Sequence, residues 1–463
     1  MTPDLAALSA SLPAGGVLGP DQDLSAFGRP WRGAAGRPGW VVLPADLAQL
    51  REVVRWAVRE RAPFVVQGAN TGLVGSSVPD GSGVTGVLST ARLTAPLDVH
   101  VEDRAVTAGA GVLLSAVDAA VSPHGLELPV DLSSDPSVGG VVATNAGGAR
   151  VLRHGDVRRR LLGLQVVLAD DDATLVGDLR PLRKKNDDLR LADLAVGSAG
   201  LLGVVAAATF ELAHRPSGRA TALMVPAGPL VEVCSLLERA LGTGLGALEL
   251  VSGAALRLTV AHVDAVTDPF PGREPADVLL VEVEGDQARD RLLAALESLG
   301  PLLEDAALMP PARAWGLRHA VSEALARAGP VLGLDVAVPR GAIGAVRAEV
   351  GEVVRRTAPD ATLADFGHVG DGGLHLNVVL APGTEDSAGT ALRSAVYDVV
   401  ARHGGSFSAE HGLGPVNVDR WRQQLAPGGL AALAAVKRAL DPYGLLGTDA
   451  LRAALTTTPE GTR

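Results

Sequence analysis

The chain has 463 residues, too many for one compact core, so two or three domains are expected. Against 52 acidic side chains stand 41 basic ones, a net charge of −11 with no basic stripe, which argues against a nucleic-acid partner. Aromatic residues are only 3%, so Ala, Val and Leu must build most of the core. The single cysteine, Cys234, excludes an intramolecular disulfide and fits an intracellular, cytoplasmic protein. No Lys or Arg precedes Arg29, so no secretory leader is read, and the uncharged stretch Leu194–Phe210 is too short and too glycine-rich for a membrane span.

In chain order, Val41–Leu43 reads as a short strand stopped by Pro44, and Asp46 with Gln49 three residues later reads as a helix start. Leu47, Leu50, Val53, Val54, Ala57 and Val58 share one helical face, Pro63 ends the helix, and Phe64–Val66 reads as a second strand. This β-α-β unit leads into the loop 67-QGANTGLVGSS-77. Further strands are expected around Val99–Ala108, Leu164–Leu168 and Val204–Leu212. The stretch 215-RPSGR-219 marks a boundary, after which strands at Val278–Val283, Val331–Val338 and Val378–Leu380 alternate with helices in a second α+β domain. Residues 420–455 read as helical and as returning to the first domain. The expected division is 1–215, 216–400 and 401–463.

Three glycine-rich segments stand out: 67-QGANTGLVGSS-77, 138-VGGVVATNAGG-148 and 197-GSAGLLGVV-205. Glycine lets backbone N–H groups approach a ligand and form an anion-binding concavity suited to a pyrophosphate, although each segment alone also fits a tight turn. No GxxxxGK[ST] occurs, and Leu114 stands where a third glycine would complete a dinucleotide fingerprint after Gly109 and Gly111.

Together with 129-PVDLSSDPSVGG-140 and 161-LLGLQVVLAD-170, these segments resemble the FAD domain of vanillyl-alcohol-oxidase-type flavoproteins, from about Trp40 to about Gly414. Within that group they are most similar to D-2-hydroxyglutarate dehydrogenases, with D-lactate dehydrogenases and the glycolate oxidase flavin subunit as cousins. The resemblance implies an α+β protein with a two-subdomain FAD-binding domain, an α+β substrate domain and a C-terminal helical segment. It implies non-covalent FAD held by Gly68, Ala69, Asn70, Thr71, Gly72, Leu73, Pro129, Asp131, Ser137, Gly139, Gly140, Thr144, Asn145, Gly147 and Val204. The chain departs from the family at Ala69, commonly Gly, and at Ala199 and Leu201, commonly Glu and Thr.

In 363-LADFGHVGDGGLHLNVV-379, Asp371-Gly372 between strand-like runs predicts a two-residue hairpin turn. That register sets His368 opposite His375, with β-carbons roughly 4.5–5.5 Å apart, and puts Asn377 on the same face. Two histidines on a strand also fit a purely structural role, but Glu410 and His411 follow among glycines in 408-SAEHGLG-414, and two His with one carboxylate suit a divalent transition metal. The same resemblance implies that His368, His375 and Glu410 bind a divalent metal, most simply zinc. It makes Asn377 a substrate contact beside the two histidines and His411 the catalytic base. In 315-WGLRHAVSEAL-325 it makes Arg318 the fork for the substrate carboxylate and Ser322 its neighbouring hydroxyl. Gly373 stands where the family commonly has Asn, and Gly333 where hydroxyglutarate enzymes carry a substrate-contacting Lys.

The implied function is oxidation of a D-2-hydroxy acid, D-2-hydroxyglutarate among them, to the 2-oxo acid. Gly333 keeps D-lactate or glycolate oxidation open, an FAD site without a productive metal site would make an electron-transferring flavoprotein, and the altered 197–203 loop keeps open a non-catalytic ligand-binding protein. The sequence identifies no electron acceptor and is compatible with a homodimer.

Overall fold

A computed structural model describes residues 3–31, 33, 35–426 and 428–456, so the final stretch of the expected C-terminal segment, 457–463, lies outside the described residues. The helix at Leu47–Arg59 forms for the reasons its sequence gives. The Asp46 side chain accepts from the Gln49 amide at 2.8 Å, and the Gln49 side chain accepts in return from the Ala45 amide at 2.8 Å, so one orphan donor of the first turn and the amide just before the cap are satisfied. Its face buries Leu50, Val53, Val54, Ala57 and Val58 and also Trp56, while Leu47 is half-buried.

The chain divides into two units. The first comprises Met1–Ala146, Asp156–Arg215 and His411–Arg463. One of its sheets sets Val17–Leu18, Val41–Val42, Gly86–Ser89 and Phe64–Gln67 side by side, the last three parallel, with the helix Leu47–Arg59 as crossover. The other is antiparallel, in the order Leu97–His100, Ala105–Gly109, Val204–Glu211, Leu161–Val167 and Leu175–Asp178. The expected single strand Val99–Ala108 is thus a hairpin, because the polar residues Glu102, Asp103 and Arg104 turn the chain, with Arg104 at φ 45°. One apolar core runs through both sheets. With few aromatics available, Trp40, Trp56 and Phe64 are concentrated in one cluster, Trp40 meeting Trp56 edge-on at 5.0 Å. Gly86 leaves room for this cluster, since a Cβ there would lie 2.0 Å from the Trp40 ring.

The C-terminal helices Val418–Gln424, Gly429–Leu440 and Asp449–Thr456 belong to the same unit. Between the last two, Leu445 accepts from the Phe64 amide at 2.9 Å and the Gly447 amide donates to the Phe64 carbonyl at 3.0 Å, extending the parallel sheet at its edge. Lys437, buried on the preceding helix, fixes this connection. Its ammonium donates to Asp441 at 2.5 Å and to the carbonyls of Leu201 and Leu446 at 2.7 and 2.9 Å.

The second unit comprises Gly147–Gly155 and Pro216–Glu410. Its sheet runs Leu303–Met309, Arg219–Pro226, Asp277–Glu284, Leu245–Ser252, Phe366–Gly367, Gly373–His375 and Asp335–Ala337, antiparallel throughout. Helices Gly253–His262 and Pro311–Ala328 cover one face with Leu256, Trp315, Val321 and Leu325. The expected strand Val331–Val338 is interrupted at Gly333 and Leu334. Val331–Leu332 pairs with Val378–Val379 in a small sheet, and Asp335–Ala337 joins the large one. No described helix is long and apolar enough to cross a membrane.

Removing one member of a buried ion pair leaves the other charge uncompensated. Lys437→Met should therefore lower the unfolding free energy of the first unit by about 3–5 kcal/mol, read as a shifted denaturant midpoint. An unchanged midpoint would show that the pair carries no such share.

Candidate active site

In the first unit the three glycine-rich segments gather around one short helix, Val138–Thr144. Gln67 ends its strand buried and donates from Nε2 to the Phe27 and Ser77 carbonyls at 3.0 and 2.9 Å, clamping the loop that follows. Within the loop Asn70 takes a left-handed φ of 55°, donates to the Arg29 carbonyl at 2.8 Å and accepts from the Ser77 hydroxyl at 2.9 Å. Gly68 lies against Ser137, where a Cβ would approach the hydroxyl to 2.1 Å. Ser137 caps the helix by accepting from the Gly140 amide at 3.3 Å. Asn145 ends it at φ 51°, its side chain bonding Asp156 and the Arg158 amide at 2.8 and 2.9 Å. The third loop docks through the Gly197 and Ala199 amides, which donate to the Val142 and Ala143 carbonyls at 3.0 and 2.8 Å.

This arrangement fits a bound pyrophosphate. Among the described residues, no backbone N–H from Ala69 to Gly75 donates to the protein, and the buried Ser198 hydroxyl has no partner. Successive unspent N–H groups are what an anion requires. Thr144 is spent on its own helix, bonding the Gly140 carbonyl at 3.0 Å, and Gly139 packs on Ala110. Pro129 and Asp131 lie in the irregular connection leading to the helix, Val204 opens a buried strand, and Gly147 belongs to the second unit.

In the second unit the histidine hairpin forms with a different register from the one read in the sequence. Phe366, not His368, pairs with His375. The turn is longer than two residues because the His368 carbonyl collects the amides of Asp371, Gly372 and Gly373 at 3.1–3.2 Å, with Gly372 at φ 97°. His368 and His375 are therefore diagonal neighbours, and their rings still meet with centroids 5.4 Å apart.

Glu410 stands between the two imidazoles. His375 Nε2 is 3.4 Å from one carboxylate oxygen, and His368 Nε2 is 3.7 Å from the other, which also accepts from the Gly148 amide at 3.1 Å. Each ring has a carboxylate behind it. Glu249 lies 2.7 Å from His368 Nδ1, and Asp335 lies 3.6 Å from His375 Nδ1 while accepting from the Ala409 and Glu410 amides at 3.0 and 2.9 Å. Outer carboxylates of this kind set ring orientation and tautomer in histidine metal sites, so the donor set fits a divalent cation. Ligand atoms of Asp335, His375 and Glu410 lie within 4.8 Å of one another. Burial by itself would push the His368 imidazole down, yet the facing carboxylates of Glu249 and Glu410 hold it well above the ordinary histidine value.

Arg318 is buried on its helix and donates from Nε to Glu249 at 2.8 Å, with the guanidinium 4.6 Å from the centre of the Phe366 ring. Its two Nη groups make no hydrogen bond to a described residue, nor does the side chain of buried Asn377. Among the described residues both are donors without a partner, as a substrate carboxylate would need. Ser322 is exposed, and its side chain bonds no described residue. His411 directly follows Glu410 in the chain and is half-buried.

Glu249 and Asp335 escape the sequence reading. Their signal is a lone carboxylate inside an apolar strand, as in 245-LGALELVS-252. Burial pushes the Glu249 carboxyl up, but His368 and Arg318 outweigh it and keep the group below the usual glutamate range.

The two-sheet first unit with its glycine-loop cradle, joined to a unit built on an antiparallel sheet, is the architecture of vanillyl-alcohol-oxidase-type flavoenzymes. p-Cresol methylhydroxylase matches the fold with a TM-score of 0.75 over 97% of this chain and 95% of that one, at 15% identity. Residues 38–176 match the model of an FAD binding domain, and 227–449 match that of the FAD linked oxidases, C-terminal domain. The chain is 33% identical over 460 residues to D-2-hydroxyglutarate dehydrogenase of Xanthomonas citri pv. viticola, covering 96% of both. It is 33% identical over 462 residues to the mitochondrial D-2-hydroxyglutarate dehydrogenase of Bos taurus, covering 96% of this chain and 82% of that one. The chain belongs to the FAD-linked oxidase family.

Gly72 has no protein atom within 4 Å of an added Cβ and needs no left-handed backbone. Gly72→Ala should leave the melting temperature of the apoprotein unchanged and weaken FAD binding at least about tenfold, roughly 1.4 kcal/mol. Equal affinity in a fluorescence titration would remove this loop from the cofactor site. Since 67-QGANTGLVGSS-77 contains neither His nor Cys, acid precipitation should release the flavin into the supernatant, and colour retained in the pellet would contradict non-covalent binding.

Proposed function

We propose that the protein oxidises a D-2-hydroxy acid to the 2-oxo acid, with the second unit holding the substrate. The observation that carries this reading is the pair of unspent donors, the Arg318 Nη groups and the Asn377 carboxamide, in the same unit as the His368–His375–Glu410 cluster. Arg318 binds the substrate carboxylate through its Nη edge, while Glu249 fixes the guanidinium from behind. Asn377 bonds the carboxylate or the 2-hydroxyl. His411 takes the hydroxyl proton as the C2 hydrogen leaves with its electron pair, which makes the carbon–oxygen double bond. FAD, when bound, supplies the acceptor for that hydride. His368, His375 and Glu410 would hold a divalent cation, most simply zinc, which would supply Lewis-acid polarisation to the substrate.

In this reading 1–215 is the FAD-binding domain, 216–400 carries the substrate and metal groups, and 401–463 brings Glu410 and His411. The protein works in the cytoplasm and passes its electrons to a separate acceptor; a homodimer is compatible with this reading.

The relatives named for D-2-hydroxyglutarate support that substrate, whereas Gly333 favours a second reading, D-lactate or glycolate. Its carbonyl accepts from Arg393 Nη1 at 3.2 Å, which ties that guanidinium to the backbone.

Anaerobic mixing with D-2-hydroxyglutarate, D-malate, D-lactate and glycolate should bleach the flavin with at least one of them. An oxidised spectrum with all four would sink the proposal. Chelation should abolish bleaching and leave FAD bound, and full activity after exhaustive metal removal would remove the cation from the reading. If Gly333 lowers affinity for the five-carbon diacid by loss of one charge-assisted bond, Gly333→Lys should strengthen its binding by roughly 1.5–3 kcal/mol, or about 10- to 150-fold. A wild type that strongly prefers D-2-hydroxyglutarate and gains nothing from the lysine would show that Gly333 does not set specificity.

A further inference from the structure

The segment Gly147–Gly155 interrupts the first unit's sequence and belongs to the second, where it lies as a strap with Arg150 buried. Arg150 Nη1 reaches two carboxylates on strand Asp277–Glu284, Glu282 and Glu284, the latter at 2.7 Å. Both glutamates are buried. Glu284 also meets Arg153 at 3.3 Å and Arg219 at 3.2 Å. Burial would raise the Glu284 carboxyl, but these cations and His154 bring it down to about 2, so it stays ionised. An arrangement this costly to bury needs each charge compensated, and the strap supplies Arg150 and Arg153 to do it.

The other carboxylate oxygen of Glu282 accepts from Trp315 Nε1 at 2.8 Å. Trp315 lies one turn before Arg318 on helix Pro311–Ala328. Arg318 binds Glu249, Glu249 binds His368, His368 faces Glu410, and Glu410 accepts from the Gly148 amide, two residues before Arg150. The path closes on itself. Every link lies in the second unit, and the circuit includes the proposed carboxylate fork and two of the three proposed metal ligands.

We infer that Arg150 is a positioning residue that, through the strap, holds the Gly148 amide on Glu410 and, through Glu282 and Trp315, sets the helix that carries Arg318. Arg150 touches neither substrate nor cofactor in this reading, which rests on the function proposed above. A lysine at 150 keeps one positive charge but loses the rigid guanidinium that sets one nitrogen, Nη1, between the two carboxylates.

The test uses the FAD-loaded protein stripped of metal with a chelator, titrated with Zn²⁺ in a calorimeter, and then assayed with the 2-hydroxy acid that bleaches wild type best. Arg150→Lys should weaken Zn²⁺ binding by about tenfold or more, the range typical of outer-shell changes, with FAD content unchanged. It should also raise KM by a larger factor than it lowers kcat. Trp315→Phe keeps an aromatic ring in the core while removing the indole donor to Glu282 and part of the buried ring, and a thermal melt checks that it folds. It should raise KM in the same direction while weakening Zn²⁺ binding less than Arg150→Lys. Wild-type Zn²⁺ affinity and KM in both variants would overturn the inference and leave the proposed function standing. A wild-type protein that binds no Zn²⁺ would overturn the metal reading and the inference with it.

Discussion

The buried carboxylate of Glu249 is the constraint around which the second unit's candidate site is arranged. Ionised within a sheet of apolar side chains, it must be matched, and two groups do so: the Arg318 guanidinium on one oxygen and the His368 imidazole Nδ1 on the other. Either partner alone would leave a charge exposed to low dielectric. Together they fix the direction in which a guanidinium edge and an imidazole Nε2 point before any ligand arrives. Preorganisation of this kind is what a site for a small charged acid requires, because ordering the groups at the moment of binding would consume the affinity gained.

Much of this was legible in the sequence wherever the physical cause is local. Asp46 and Gln49 start a helix by bonding within four residues, and the glycine-rich segments announce close backbone approach whatever lies around them. The hairpin was legible as a turn but not in its register, because the His368 carbonyl takes three amides in place of the single pairing that Asp371-Gly372 suggests. Glu249, Asp335 and Arg150 were not legible. Their partners lie 69 and 119 residues from Glu249, 75 from Asp335 and 132 from Arg150. No period or cap encodes a contact at such separations. What the sequence does carry is the anomaly of a charged residue inside an apolar strand, which points to a partner without naming it.

The first unit depends on a comparable device. Lys437, buried with Asp441, ties the third glycine loop to the C-terminal connection through the Leu201 and Leu446 carbonyls. The loop's conformation includes Ala199 at φ 52°, a left-handed geometry that disfavours a side chain, so it must be held from outside. Cofactor cradle and C-terminal helices are in this sense one construction, with the glycines allowing the approach and the lysine maintaining it.

That construction has a bearing on how the protein is made. Thr85 bonds Asp449 across 364 residues of chain, and the edge of strand Phe64–Gln67 is covered only when Leu445 and Gly447 arrive. At a ribosomal rate of roughly 5–20 residues per second, the wait is about 20–70 s. Throughout that interval an apolar parallel edge stays open on the nascent chain while the whole of the second unit is synthesised and free to fold. An uncovered edge is a template for pairing with other chains. Of the two units, the one begun first is therefore finished last, and its yield in a cell is tied to protection of that edge during translation.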